Sequence, residues 1–165
     1  MVRKKNRYLL AEINFADGRK TKRDLKTEVV YRSVRDALQL AFGDYGMGVL
    51  KSSLVVKYLN PETSIVIVRA KRDFYRMAQT ALSLVKKIDN IDAFFHLLHV
   101  GGTIRACQKF LIRHHRRQLP LLFQQCSTQE ERKRVQQAVL STCVQMEMHK
   151  AEEKEKTVME IMEDV

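Results

Sequence analysis

Residues 48–71 have the sequence GVLKSSLVVKYLNPETSIVIVRAK, and this stretch decides the fold class. Two runs rich in β-branched residues, 48–60 and 63–71, flank the tripeptide Asn60-Pro61-Glu62. An Asn-Pro pair between two such runs is typical of a turn between strands. We therefore predict that the two runs form a β-hairpin.

The chain before the hairpin predicts one strand and one helix. Residues 7–15, RYLLAEINF, have the length and apolar content of a strand, and the basic segment 17–24, DGRKTKRD, follows as a loop. From Asp24 onward, apolar residues recur at helical spacing. They are Leu25, Val29, Val34, Ala37, Leu38 and Ala41. We expect the sequence GDYG, residues 43–46, to end this helix.

The chain after the hairpin predicts a second helix and a fourth strand. Asp73 is expected to cap a helix over residues 74–87, which Asp89-Asn90 interrupts. AFFHLLHV, residues 93–100, is a fourth predicted strand. Further helical segments are expected over residues 103–117, 119–125 and 128–150.

The predicted order is therefore strand, helix, strand, strand, helix, strand. This order is typical of the RRM-like or ferredoxin-like β-α-β-β-α-β sandwich, an α/β (α+β) fold with two helices on one face of the sheet. We expect a core over residues 1–126 that includes the basic helix 103–117. A C-terminal helix over 127–150 and an acidic, mixed-charge, disordered tail over 151–165 are expected to follow.

The charge of the chain is strongly positive and unevenly distributed. Its 165 residues include 30 Lys and Arg against 19 Asp and Glu, a net charge of +11. The segment from Glu147 to the end has seven acids and three bases, a charge of −4, which leaves +15 on residues 1–146. A basic body of this kind favours a phosphate-rich partner, and above all a nucleic acid.

The cysteines and the apolar runs indicate the cellular compartment. Cys107, Cys126 and Cys143 form no CxxC motif, so we expect reduced thiols in a cytosolic or nuclear protein. No apolar run approaches the length of a membrane span, and the basic start MVRKKNRYLL lacks the apolar region of a signal peptide. We expect no export.

The segment HVGGTIRACQKFLIRHHRRQ, residues 99–118, contains the strongest functional signal. At about 100° per residue from Ile104, its five cations fall between about 100° and 220° around the helix axis. These cations are Arg105, Lys109, Arg113, Arg116 and Arg117. No acid occurs from Thr103 to Leu119, whereas solvated helix faces normally mix charges of both signs. The pattern predicts a cationic helix face that binds a polyanion.

The residues that precede this helix strengthen the prediction. Gly101-Gly102-Thr103 lies between a strand and a Thr-capped helix, a junction that leaves backbone N–H groups at a positive helix end. We predict an anion-binding junction here. A second, more mobile contact is expected from basic residues near the N-terminus and in the first loop. They are Lys4, Lys5, Arg7, Arg19, Lys20, Lys22 and Arg23.

These segments resemble a known family. LLHVGGTIRACQKFLIRHHRRQL, VVKYLNPETSIVIVRAKRDFY and the opening RYLLAEI are similar to the Pop-five protein subunit family of ribonuclease P and ribonuclease MRP. The resemblance runs from about Val2 to Val144. By this resemblance, Gly101, Gly102, Thr103, Arg105 and Lys109 are expected RNA contacts, because they lie inside the matching string.

The resemblance implies a role in a ribonucleoprotein. Members of this family bind the catalytic RNA of ribonuclease P, which removes 5′ leaders from precursor tRNA, and of the related MRP particle, which processes ribosomal RNA. It also implies partner subunits, one a second small RRM-like protein and others with barrel folds. The implied location is the nucleus and nucleolus. The RNA is expected to hold the catalytic Mg²⁺, with no cofactor or metal bound by the protein and precursor tRNA met only indirectly.

Other classes fit the residues less well. A single-strand RNA reader needs aromatic side chains on its central strands, and the run TSIVIVRAK has none. Tyr8, Phe94 and Phe95 are single aromatics, expected in the core or at an interface. A ferredoxin-like phosphate hydrolase needs a Gly-rich loop after its first strand, but DGRKTKRD has a single glycine.

The sequence gives only weak support for a metal site or a nucleophilic thiol. His96 and His99 are three residues apart on a predicted strand, so they should point to opposite faces. Cys107 and either His114 or His115 could approach each other on one side of the helix, but we expect these side chains to pack rather than to form a metal or thiol-nucleophile site. We predict no intrinsic active site. A protein-only adaptor and a generic RRM-like RNA-binding module of another ribonucleoprotein are the alternatives that stay open.

Overall fold

The computed structural model describes residues 5–16, 25–61 and 63–125, and six positions between residues 129 and 137. Its strands are β1 (Asn6–Phe15), β2 (Val55–Asn60), β3 (Ile65–Lys71), β4 (Lys87–Ile88) and β5 (Ile91–Gly101). Its helices are α1 (Thr27–Leu50), α2 (Tyr75–Leu84) and α3 (Ile104–Gln125). The chain divides into two compact units, residues 1–110 and residues 111–165.

The five strands form one antiparallel sheet in the order β2-β3-β1-β5-β4. β1 lies in the middle and pairs with β3 on one side and β5 on the other. With the two-residue strand β4 set aside, the element order is β-α-β-β-α-β. The predicted RRM-like or ferredoxin-like fold is confirmed, and β4 is an addition that the sequence analysis missed.

The main core lies between the sheet and the helices α1 and α2. Alternate residues of β1, β3 and β5 enter it, because successive side chains of a strand point to opposite faces. The buried residues of this cluster on the sheet are Leu9, Ala11, Ile13, Phe15, Val66, Val68, Ala70, Ile88, Ala93 and Phe95. Those on α1 and α2 are Val30, Val34, Ala37, Leu38, Leu50, Ala78, Ala81 and Leu82. Phe95 is therefore a core residue, as predicted, whereas Phe94 is 56% exposed.

The start of α3 packs on the second face of the sheet. The Cys107 thiol donates a hydrogen bond to the backbone oxygen of Tyr8 on β1, with 3.6 Å between the two atoms. The Phe110 ring stacks on the His99 ring of β5 at a centroid distance of 4.6 Å. The first turns of α3 therefore cover part of the face that the two-helix sandwich would otherwise leave free.

The first helix does not stop at GDYG but bends there. Gly43 has φ 57° and ψ −150°, a backbone conformation that only glycine adopts readily, and the chain is helical on both sides of it. The helical residues after Gly43 extend to Leu50. The predicted strand over 48–60 is therefore wrong in its first part, and β2 begins at Val55. The hairpin itself is confirmed, since Asn60 pairs with Ile65.

The predicted cap of the second helix is wrong. The N-cap of α2 is Phe74, and no side chain caps it. The Asp73 carboxylate instead lies 3.8 Å from Lys71 Nζ and 4.0 Å from Arg72 Nε. The helix also ends at Leu84 and not at residue 87, because the chain becomes extended at Val85 and enters β4.

Asp89 and Asn90 connect β4 to β5 rather than interrupting a helix. Both have positive φ, 53° and 62°, as the two central residues of a type I′ hairpin turn require. Lys87 pairs with Asp92 across this turn. Asn and Asp tolerate positive φ better than other residues that have side chains, which explains why this pair occupies the turn.

A register shift in β5 corrects the prediction for the two strand histidines. His96 pairs with Glu12, and His99 pairs with Leu10. The register shifts between these two pairs, at Leu10 and Ala11 of β1. Because Leu10 and Glu12 are two residues apart on β1, they share one face, and so do their partners. The shift inserts an extra residue into β5, so His96 and His99 lie on the same face and not on opposite faces.

The predicted helices 103–117 and 119–125 form a single helix, α3, which runs through Pro120. A proline within a helix removes one N–H donor but does not have to end the helix. The six described positions between residues 129 and 137 are helical, in agreement with the prediction there. The rest of the predicted helix 128–150, the tail and the first loop, with Cys126 and Cys143, lie outside the described residues. Within the described ranges, no helix is both long and apolar enough to cross a membrane.

Two glycines of α1 provide a test of the bend. A Cβ at Gly43 or at Gly48 would meet no atom within 4 Å, but only Gly43 has positive φ. We expect Gly43→Ala to lower the free energy of unfolding by about 2 kcal/mol through backbone strain. Gly48→Ala should raise it by about 0.5–1 kcal/mol, because alanine loses less backbone entropy in a helix. Urea unfolding measures both, and equal effects of the two substitutions would contradict the bend.

Candidate nucleic-acid interface

The junction between β5 and α3 has the cap that the sequence predicted. Thr103 Oγ1 accepts a hydrogen bond from the Ala106 N–H, with 3.2 Å between the two atoms. The Thr103 backbone oxygen accepts one from the Cys107 N–H at 3.4 Å. Thr103 is thus the N-cap of α3, and its side chain pairs one of the four N–H groups that a helix start leaves without helical partners.

The two glycines at this junction have different surroundings. Gly101 is buried, and a Cβ there would lie 2.9 Å from Cys107 Sγ and 3.1 Å from the Thr103 backbone oxygen. Only glycine allows the strand to pass so close to the start of the helix. Gly102 is exposed, and its Cβ would meet only Arg7 Nη1, at 3.4 Å. Gly102 therefore belongs to the surface that a ligand could approach, and Gly101 supports that surface from below.

The Cys107 thiol is held in its protonated form. Burial raises its pKa from 9.0 to about 11, and a hydrogen bond from the Gly101 backbone N–H acts in the opposite direction but more weakly. A thiol of this pKa carries very little thiolate at neutral pH, and the thiolate is the nucleophile. The environment of Cys107 therefore favours packing, as the sequence analysis inferred.

All five cations of the predicted helix face are exposed. Arg105 and Lys109 lie in the first unit, on the first turns of α3. Arg113, Arg116 and Arg117 lie on the part of the helix that belongs to the second unit. Their contact with RNA stays a prediction.

Two of the three predicted N-terminal cations lie in the described residues, Lys5 just before β1 and Arg7 at its start. Arg7 is half-buried, with its guanidinium beside Gly102, and Lys5 is exposed. Lys4 lies outside the described residues, as do Arg19, Lys20, Lys22 and Arg23 of the first loop. The structure therefore brings Arg7 to the β5–α3 junction, although 95 positions separate it from Gly102 in the sequence.

The sequence analysis missed a third group of cations. Arg69 and Lys71 are among the last residues of β3, and Arg72 follows the strand directly. This end of β3 pairs with the start of β1, where Asn6 is the partner of Lys71. The run RAKR at residues 69–72 is visible in the sequence, but its place beside the β5–α3 junction follows only from the register of the sheet.

The two strand histidines make other contacts than a metal site would require. His96 Nδ1 lies 4.0 Å from a Glu12 carboxylate oxygen, and both side chains are partly exposed. His99 stacks on Phe110. In the part of the chain that the structure describes, no group of three or more His, Cys, Asp or Glu side chains is arranged to hold a metal ion.

The contrast between the two glycines predicts opposite tolerance to substitution. Gly101→Ala should lower the free energy of unfolding by about 1–3 kcal/mol, because the new methyl group overlaps the Cys107 sulfur. Gly102→Ala is the matched control and should change it by less than about 0.5 kcal/mol. Urea unfolding of both variants checks this, and a Gly101→Ala protein as stable as Gly102→Ala would contradict the close packing.

The raised pKa of Cys107 predicts a pH dependence. The folded protein holds the thiol proton more tightly than the unfolded chain does, so stability should fall as the pH rises from 9 towards 11. Cys107→Ala should lack this part of the fall, while the other titrating groups stay common to both proteins. Urea unfolding of both proteins at pH values of about 8, 9 and 10 measures the difference in the free energy of unfolding. If this free energy fell equally with pH in both proteins, the raised pKa of Cys107 would be contradicted.

A family model and several known proteins match the sequence of this chain. The model of the Rpp14/Pop5 family matches residues 7–112. The ribonuclease P/MRP protein subunit POP5 of Homo sapiens is 38% identical over 164 residues, which cover 97% of this chain and 100% of that protein. The subunit POP5 of Saccharomyces cerevisiae is 30% identical over 141 residues, covering 74% of this chain and 82% of that protein.

A further relative and one solved structure complete the comparison. The subunit POP5 of Bos taurus is 39% identical over 157 residues, 93% of this chain and 92% of that protein. A chain in a cryo-EM structure of yeast ribonuclease MRP aligns with a TM-score of 0.45 and 11% identity, over 73% of this chain and 98% of that chain. Because the family model covers most of the described core and the human and bovine relatives match nearly end to end, this chain belongs to the Rpp14/Pop5 family.

Proposed function

We propose that this chain is a non-catalytic protein subunit of the ribonuclease P and ribonuclease MRP particles, where it binds and stabilises the RNA. The proposal is supported by relatives named as ribonuclease P/MRP protein subunits, which are similar along nearly the whole chain. In these particles the protein would assist 5′-leader removal from precursor tRNA and the processing of ribosomal RNA.

The observation that carries the proposal is the composition of the β5–α3 junction. Exposed Gly102 and the capped start of α3 lie beside the Arg7 guanidinium, and exposed Arg105 and Lys109 follow on the helix. N–H groups and fixed cations at a helix start are suited to phosphate oxygens. RNA phosphates would supply the negative charge that the sequence of this helix lacks.

The energetic role of the protein follows from this arrangement. A folded RNA brings its own phosphates close together, and diffuse counterions only partly screen their repulsion. Protein cations that replace those ions release them to solvent, and this release drives binding at low salt. The chain would therefore recognise the RNA backbone and its shape rather than its bases.

We assign the chemistry of the particle to its RNA and to Mg²⁺ held by that RNA. The protein would contribute the stability and position of the RNA fold, and would meet precursor tRNA only through the particle. Its partners would include a second small RRM-like subunit and subunits with barrel folds. Its location would be the nucleus and nucleolus, where these RNAs are processed.

A protein-only adaptor is the alternative that a salt titration separates. Binding of RNA through five cations predicts a slope of log affinity against log salt of about −3 to −5. An apolar protein interface would have a slope near zero. The exposure of all five cations on α3 favours the first outcome.

Charge reversal on α3 tests the RNA-binding role. The triple variant Arg105→Glu, Lys109→Glu, Arg113→Glu should weaken binding to the transcribed RNA subunit of ribonuclease P by at least about a hundredfold at fixed salt, from the loss of three phosphate contacts. The far-UV circular dichroism should be unchanged, because the three side chains are exposed. Filter binding measures the affinity.

A matched control removes the same charge elsewhere. Arg32, Arg35 and Arg76 are exposed on α1 and α2, and their reversal to Glu changes the net charge by the same amount. This control should lose much less affinity than the α3 variant. Equal losses would show that net charge alone attracts the RNA, and a loss of helical signal in the α3 variant would show that its cations are structural.

Purification of the protein from cells tests whether it is a subunit of the ribonuclease P and MRP particles. The full chain, tagged and purified from extract of its own cells at moderate salt, should enrich the RNAs of ribonuclease P and MRP and should cleave the 5′ leader from precursor tRNA. Protein partners without these RNAs would contradict the proposal and favour the adaptor.

A further inference from the structure

The register of the sheet places a basic segment of β3 across β1 from the β5–α3 junction. Tyr8 on β1 pairs with Arg69 on β3 and also with Gly101 on β5. Neighbouring strands lie about 4.8 Å apart, so the backbones of Arg69 and Gly101 are about 10 Å apart across β1. Two segments 32 positions apart in the sequence thus meet at one end of the sheet.

The residues beyond β3 are held against the start of β1. The Arg72 N–H donates a hydrogen bond to the Lys5 backbone oxygen, with 2.9 Å between the two atoms. Lys71 pairs with Asn6 one position earlier. Since Lys5, Lys71 and Arg72 are exposed, this corner presents their cationic side chains to solvent from a fixed backbone.

The neighbouring acid only partly neutralises this corner. The Asp73 carboxylate lies 3.8 Å from Lys71 Nζ and 4.0 Å from Arg72 Nε, so one acid serves two cations. All three side chains are exposed, and exposed ion pairs of this kind contribute little. A phosphate could displace them at small cost.

Arg69 adds a guanidinium group to this corner. Its side chain is half-buried, and its Nε lies out of solvent with no hydrogen-bond acceptor within the described residues. The guanidinium stays charged and presents parallel N–H donors that match two phosphate oxygens. Because the Arg69 side chain as a whole is only half-buried, its guanidinium group is available to a phosphate at the surface.

Arg69 lies on the side of the sheet where α3 begins. Cross-strand partners share a face, so Arg69 shares the face of Tyr8. That face also includes Leu10 and its partner His99, on which Phe110 of α3 stacks. The end of β3 and the start of α3 therefore border the same part of the surface.

We propose that Arg69, Lys71 and Arg72 form a second phosphate-binding cluster, which continues the RNA-binding surface at the start of α3, with Arg105 and Lys109, across the N-terminal end of β1 to β3. The RNA backbone would cross this end of the sheet, with the helix start and the β3 cluster on successive phosphates. This inference rests on the proposed RNA-binding function and extends it to residues that lie outside the basic helix.

The test removes two cations of the cluster from the full chain. Arg69→Gln with Arg72→Gln should weaken binding to the transcribed RNA subunit of ribonuclease P by about tenfold or more. The slope of log affinity against log salt should become less negative by about 1–2, because two phosphate contacts are lost. Filter binding over a series of KCl concentrations measures both quantities.

A control variant at the far corner of the sheet has the same charge loss. Lys86 and Lys87 are exposed at β4, which pairs with the opposite end of β5 from Gly101. Lys86→Gln with Lys87→Gln should change affinity by less than about twofold, since no phosphate contact is expected there. An equal loss of RNA affinity in both double variants would overturn the proposal, because it would show that only the net charge of the protein matters.

Two further variants separate contact from folding. Arg72→Gln alone changes an exposed side chain, so its salt slope reports the contact even where Arg69→Gln lowers stability. Arg69→Lys keeps the positive charge but loses the bidentate geometry of the guanidinium. Its affinity for the RNA should therefore lie between those of Arg69→Gln and the unmodified chain. Full recovery would contradict bidentate phosphate binding by Arg69.

The controls also distinguish this inference from the proposed function. If the unmodified chain binds the RNA, and charge reversal on α3 abolishes binding while Arg69→Gln with Arg72→Gln leaves affinity and slope unchanged, the β3 cluster alone is refuted. If the unmodified chain does not bind the RNA, the proposed function fails and this inference fails with it.

Discussion

β1 lies in the middle of the sheet and forms backbone hydrogen bonds with β3 on one side and β5 on the other. The positions of the other elements depend on these two ladders. One face of β1 supports the core beneath α1 and α2, and the other receives Cys107 at the start of α3. Because β1 pairs at its N-terminal end with the last residues of both neighbours, three distant segments of the chain meet at one end of the sheet.

The concentration of cations at this end of the sheet has a physical cost. Cations close together repel one another, and the nearby acid, Asp73, is shared by Lys71 and Arg72. A folded domain tolerates this repulsion only because apolar burial elsewhere stabilises it, and a polyanion would remove it. The tight packing of Gly101 against Cys107 supports the same surface, since it fixes the start of α3 relative to the strand. The packing that stabilises the domain and the proposed RNA-binding surface therefore share one short junction.

The errors of the sequence analysis have local physical causes. Gly43 interrupts helical geometry for one residue, and a glycine in the sequence does not reveal whether the helix resumes beyond it. Asp89-Asn90 adopts a hairpin turn because β5 offers a partner to Lys87 and Ile88, a contact that no local pattern contains. The bulge in β5 reverses the expected facing of His99 relative to His96, because an inserted residue shifts the alternation of the strand.

The sequence by itself determined the order of the elements, the apolar faces of the strands and first two helices, the Thr103 cap, the cationic face of α3 and the family resemblance. These features depend on the spacing and chemistry of neighbouring residues, which the chain displays directly. Only the tertiary structure decided that Arg7 lies beside Gly102, that Gly101 must lack a side chain, and that Arg69 lies across β1 from Gly101. Such contacts depend on strand register, which pairing between distant segments sets and no single segment encodes.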